Sequence, residues 1–99
     1  MIRHIVSWKL HSTDAEGKAA GFDSIRTALE ALPELIPEIR ALQVGRNIAY
    51  PESNWDVVLV ADYDSLEALE AYQVHPDHQA AAAIIRPLVA ERANVDFEL

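Results

Sequence analysis

Five consecutive apolar residues, Val57-Val58-Leu59-Val60-Ala61, run without a polar interruption between Trp55 and Tyr63. Side chains of a strand alternate between two faces, so such a run demands burial on both sides of a sheet. A chain of 99 residues has room for one domain, whose helices can cover one face. Something must therefore cover the other. A second copy of the same sheet is the simplest cover, because a two-fold interface complements itself.

The remaining elements are placed around that strand. From Ile2 to Leu10 the pattern alternates, with Ile2, His4, Val6, Trp8 and Leu10 on one face and Arg3, Ile5, Ser7 and Lys9 on the other. Ile5 makes the second face partly apolar as well. Ser12-Thr13-Asp14 is a cluster of helix-capping residues, and Phe22, Ile25, Leu29 and Leu32 form one helical stripe after it. Gly17 and Gly21 weaken the first half of that helix, and Pro33 and Pro37 close it. Ile39 to Arg46 reads as a second strand, with Gly45 marking a bulge or a close backbone approach. Asn47 to Asn54 is a loop, and Trp55 to Tyr63 is the third strand.

Asp64 and Glu67 have the spacing of a capping box, with Asp64 as the cap of a short helix reaching Tyr72 or Gln73. His75-Pro76 interrupts that helix, since the residue before a proline is pushed out of helical geometry. Pro76 suits the first position of a new helix, which runs through Ala80 to Ala83 and ends near Ile85 or Leu88. Ala93, Val95, Phe97 and Leu99 alternate with polar residues as a last strand. The order β-α-β-β-α-(α)-β predicts an α+β fold, a ferredoxin-like four-stranded antiparallel sheet with helices on one face, in one domain over residues 1–99.

Composition narrows the function classes. Eight basic and sixteen acidic residues give a net charge of −8, a field that repels phosphate backbones and anionic lipid. Nucleic acid and membrane are therefore not expected partners. The absence of cysteine removes disulfides, thiolate metal sites and cysteine nucleophiles. No apolar run reaches the length of a membrane span or a leader, so the expected location is the cytoplasm. Phosphate-binding glycine loops and nucleophile elbows are absent, and no cofactor is implied.

Histidine carries the remaining chemistry. His75 and His78 bracket Pro76-Asp77 at the start of the third helix, whose positive end should favour neutral imidazole at His78. Such a group takes a proton from an acidic phenol or carbon. Tyr72 adds a phenol three residues before His75, and His4 lies mid-strand where the helices pack. His78, His4 and Tyr72 are thus candidate catalytic residues, with His75 and Trp8 as candidate ligand contacts. Each has a plain structural reading beside it: a helix cap for His75 and His78, a satisfied core histidine for His4, and core aromatics for Tyr72 and Trp8. A metal at His75 and His78 is disfavoured, since a helix N-terminus opposes a cation.

Several segments together resemble the stress-responsive A/B barrel (Dabb) family. They are His4-Ile5-Val6 with Lys9-Leu10, Val44-Gly45-Arg46-Asn47, Asp56 to Asp62 followed by Ser65-Leu66-Glu67-Ala68-Leu69, and Val95-Asp96-Phe97. The most specific is Tyr72-Gln73-Val74-His75-Pro76-Asp77-His78, similar to the family's Tyr-x-x-His-Pro-x-His signature. The resemblance implies a dimeric α+β barrel. It also implies, by likeness to a plant polyketide cyclase of the family that works without a metal, His78 as general base with Tyr72 and His4 orienting the substrate. Gln79 and Ala80 to Ala83 depart from that cyclase, so its substrate does not carry over. Three functions stay open: cyclase-like or lyase-like chemistry on a small hydrophobic or aromatic molecule, a non-catalytic ligand-binding or stress-related homodimer, and an oxygenase of the wider barrel group.

Overall fold

A computed structural model describes all residues from Met1 to Leu99. The elements are β1 (Ile2–Leu10), α1 (Ala15–Glu30), β2 (Ala41–Arg46), β3 (Val57–Tyr63), α2 (Leu66–Val74), α3 (Pro76–Ile85) and β4 (Val89–Glu98), with short 3-10 turns at Leu32–Glu34 and Arg86–Leu88. The strands form one antiparallel sheet in the order β2-β3-β1-β4, which is the ferredoxin-like topology expected from the element order.

Helix starts are set by side-chain caps. Asp14 accepts a hydrogen bond from the Gly17 amide and caps α1. Gly17 costs helix propensity, but a Cβ there would lie 2.5 Å from the Asp14 carboxylate and 2.6 Å from Ser12, so its bareness makes room for the cap. The cap of α2 is Ser65, whose hydroxyl accepts from the Ala68 amide, and not Asp64. Asp64 instead takes the Arg40 guanidinium at 2.7 Å, a partner that sequence spacing could not reveal. The last strand begins at Val89, earlier than its alternation suggests, because β1 is long enough to pair with it back to Leu10. Gly45 is a close approach and no bulge: a Cβ there would meet Val58 at 3.2 Å, and the register with β3 is unbroken.

One face of the sheet packs beneath the helices. Val6, Trp8 and Leu10 of β1 and Val57, Leu59 and Ala61 of β3 meet Ile25 and Leu29 of α1, Leu69 of α2 and Ile85 of α3 in a single core. On the opposite face the register lines up Gln43, Val60, Ile5 and Val95 in one row, and Ala41, Asp62, Arg3 and Phe97 in the next. No helix of the chain lies on that face, and Val95 and Phe97 stand exposed there. The unbroken run of β3 thus has one side in the core and the other on a bare, largely apolar surface.

Candidate functional site: a cavity between α3 and the β1–β4 edge

The helices leave β4 uncovered along almost its whole length, and the gap between α3 and the β1–β4 edge is a cavity of about 320 Å³. Apolar side chains make much of its wall, among them Val6, Trp8, Leu59 and Ile85. His4, Tyr72 and His78 form its polar corner. Three residues distant in sequence converge because β1 delivers His4 to the helix side of the sheet, while the α2–α3 junction folds Tyr72 and His78 over it.

That junction follows from Pro76. His75 adopts extended geometry (φ −64°, ψ 136°), ending α2 and starting α3. Its Nδ1 accepts a hydrogen bond from the Asp77 amide at 3.1 Å, so the His75 side chain is a helix cap and is not among the residues lining the cavity. His78, one turn into α3, donates its Nδ1–H to the Gln73 carbonyl at 3.0 Å. With Nδ1 so occupied, the lone pair resides on Nε2. The pKa of His78 is lowered, chiefly by burial, with nearby His4, Arg92 and His75 adding to the effect and the Gln73 bond opposing it. The sequence predicts the direction from the helix end; the larger cause is desolvation.

His4 is 2% exposed and its Nδ1 is hydrogen-bonded to the Asp96 carboxylate directly across the β1–β4 ladder. The carboxylate accepts, so Nδ1 carries the proton of that bond. The Tyr72 ring lies 4.3 Å from the His78 ring and 6.3 Å from that of His4, centroid to centroid. Tyr63 stands behind Tyr72 at 5.0 Å and does not reach the cavity wall. Both tyrosines are fully buried, and neither hydroxyl makes a hydrogen bond of good geometry, although the two are close enough to influence one another. Burial, followed by the proximity of Tyr72, raises the pKa of Tyr63; burial also raises that of Tyr72 against smaller opposing effects of Tyr63 and Arg92. Both are neutral phenols at physiological pH, able to donate.

Of the candidate residues, the cavity gathers His78, His4, Tyr72 and Trp8, and leaves His75 outside. Sequence reading missed Asp96, Tyr63 and Arg92. Asp96 was within reach, since a ferredoxin-like order puts β4 beside β1 and the alternation of β4 turns Asp96 toward the helices. Tyr63 and Arg92 gave no signal of their own. No cluster of three or more His, Asp or Glu side chains is arranged to hold a metal ion, and no helix is long and apolar enough to cross a membrane.

Comparison with known proteins agrees with this fold. The profile of the Stress responsive A/B Barrel Domain family matches residues 2–99. A dimeric protein of unknown function and ferredoxin-like fold from Bacteroides fragilis superposes with a TM-score of 0.88 at 36% identity, covering 99% of this chain and 95% of its own. A dimeric ferredoxin-like protein of unknown function from Thermobifida fusca gives 0.83 at 39% identity, covering 99% and 90%. At 15% identity, hydroxynitrile lyase from Passiflora edulis shares the fold with a TM-score of 0.79 over 97% of this chain and 90% of its own.

Proposed function

Because the chain belongs to the stress-responsive A/B barrel domain family, we propose that it is a homodimer which binds a small hydrophobic or aromatic molecule in the cavity and carries out acid–base chemistry on it, cyclase-like or lyase-like, with protein side chains alone. The observation that carries this reading is the pairing of a neutral, half-buried His78, its Nδ1 tied to Gln73, with the buried phenol of Tyr72 on an apolar wall. A general base needs an available lone pair near neutral pH, which Nε2 of His78 supplies. Tyr72, protonated by burial, serves as hydrogen-bond donor to a carbonyl or developing enolate oxygen. His4, held by Asp96, is the second imidazole at the corner and orients the ligand. Trp8 offers the ring face against which an aromatic ligand packs.

The open sheet face supports the homodimer, and the two bacterial relatives are described as dimeric. That the Passiflora edulis hydroxynitrile lyase uses this fold supports lyase chemistry as a class such a barrel can host, by analogy of fold only. The test is proton exchange at an acidic carbon. Benzoylacetone in D2O should lose its central C–H resonance faster with the wild-type protein than in buffer, and His78→Gln should abolish the acceleration with its circular dichroism unchanged. Binding of the diketone without exchange would leave a non-catalytic ligand-binding dimer, the second reading. Unfolding of both His78→Gln and His78→Asn would make His78 a structural cap.

A further inference from the structure

The side chains lining the cavity differ in charge from the molecule around it, although the Asp96 carboxylate stands behind His4. The chain carries sixteen acidic and eight basic residues, yet none of the residues lining the cavity is an aspartate or a glutamate. Two of the eight basic residues, Arg86 and Arg92, line it. Five of the others, Arg3, Lys9, Lys18, Arg26 and Arg40, are held in ion pairs with carboxylates. Only Arg46, Arg86 and Arg92 have no carboxylate partner, so two of three unpaired guanidinium groups face one cavity.

Exposed, unpaired arginines at the rim of a pocket of mixed polar and apolar lining, in a protein rich in carboxylates, leave a place that a ligand anion can take. We propose that the cavity selects a hydrophobic carboxylic acid, its carboxylate held by Arg92 and Arg86 and its apolar body lying toward Trp8 and Leu59. This inference rests on the reading of the cavity as a ligand site and names the class of ligand. A guanidinium presents a planar fork matched to a carboxylate, whereas a neutral amide offers it only one good acceptor. Arg92 comes from β4 opposite Trp8, and Arg86 from the turn that ends α3, so the two approach from different walls. Arg92 lines the same cavity as Tyr72 and His78, and its charge lowers the pKa of both, so a carboxylate held there shares the cavity with the proposed reacting groups. The net charge of −8 repels anions at a distance, so selection of an acid has to come from these local contacts.

The experiment uses the full-length protein as purified with two matched probes, 4-butylbenzoate and 4-butylbenzamide, by titration calorimetry at pH 7.5. The His78 ring resonances are followed in parallel by NMR. The acid should bind about tenfold more tightly than the amide, in line with the worth of a charge-assisted hydrogen bond. Arg92→Gln should erase most of that preference and Arg92→Lys should restore part of it, with unchanged melting temperatures. Equal affinity for the two probes, both shifting His78, would overturn the arginine assignment and leave the cavity a site for neutral ligands. Persistence of the preference in Arg86→Gln/Arg92→Gln would overturn it as well. If neither probe shifts His78 at millimolar concentration, the inference falls together with the ligand-site reading beneath it.

Discussion

His4 and Asp96 face each other across the β1–β4 ladder, the buried imidazole donating from Nδ1 to the carboxylate. A buried imidazole N–H left without an acceptor costs about 1–3 kcal/mol, so the pair fixes both the ring and its tautomer. Asp96→Ala should therefore destabilise the protein by about that amount in urea denaturation and weaken ligand binding at the cavity. Asp96→Asn keeps an acceptor oxygen in place and should recover most of the stability. If Asp96→Ala proved as stable as the wild type, His4 would be satisfied by some other group.

Acid should act on His78 before it acts on the carboxylates. Burial lowers the His78 pKa below its unfolded value, so between the two values the unfolded chain holds the extra proton. Its contribution is fully present above the unfolded value of 6.5 and is lost as pH falls through the lower folded value. Asp62, held down by the Arg3 hydrogen bond, and Asp64, held down by Arg40, lose their stabilisation only deeper in acid. The wild-type melting temperature should drop between pH 7.5 and pH 5, and His78→Gln should drop less over the same interval. Parallel pH profiles for the two proteins would show that His78 is not buried as described.

The fold could be read from the sequence because its signals are repetitive. The alternation of β1, the continuous β3 run and the His75-Pro76 break each fix an element by several residues at once. Site geometry depended on pairings that no local pattern encodes. His78 and Tyr72 announced themselves by proximity in the chain, and the resemblance at Tyr72 to His78 pointed the same way. Asp96 became visible only through the strand order, and the Asp64–Arg40 pair only through the packing of the β2 approach against the start of α2. His75 was ambiguous for a physical reason: an imidazole before Pro76 can cap the next helix or face a ligand with equal local geometry, and the Asp77 amide takes its Nδ1 as a cap.

The two buried phenols respond differently to loss of oxygen. Tyr63 and Tyr72 both bury a hydroxyl without a well-formed hydrogen bond, a state that carries a desolvation cost. Tyr63→Phe removes that cost and keeps the ring packed against Tyr72, so its stability should match or exceed the wild type by up to about 1 kcal/mol. Tyr63→Ala should cost about 3–5 kcal/mol, because it empties a core position. Tyr72→Phe should also fold normally, yet slow benzoylacetone exchange by about tenfold or more through loss of the donor hydroxyl. Equal exchange rates for Tyr72→Phe and wild type would remove Tyr72 from the chemistry.

Val60 is the sharpest probe of the proposed dimer. It sits in the row Gln43, Val60, Ile5 and Val95 on the face that no helix covers, and its strand neighbours Leu59 and Ala61 are buried in the core on the other side. A lysine at this position keeps the strand's inner face intact while placing an ammonium at the centre of the surface a partner sheet would cover. Burying that charge without a counter-ion costs several kcal/mol, so Val60→Lys should raise the dimer dissociation constant by at least about a hundredfold. Sedimentation velocity at micromolar concentration should then show a monomer, with the helix and strand signals of the wild type in circular dichroism. The neighbouring Asp62 carboxylate is already engaged by Arg3 through two hydrogen bonds at 2.9 and 3.0 Å. A Val60→Lys protein that stayed dimeric with wild-type affinity would mean that the copies meet through another surface, and the continuous β3 run would need a different explanation.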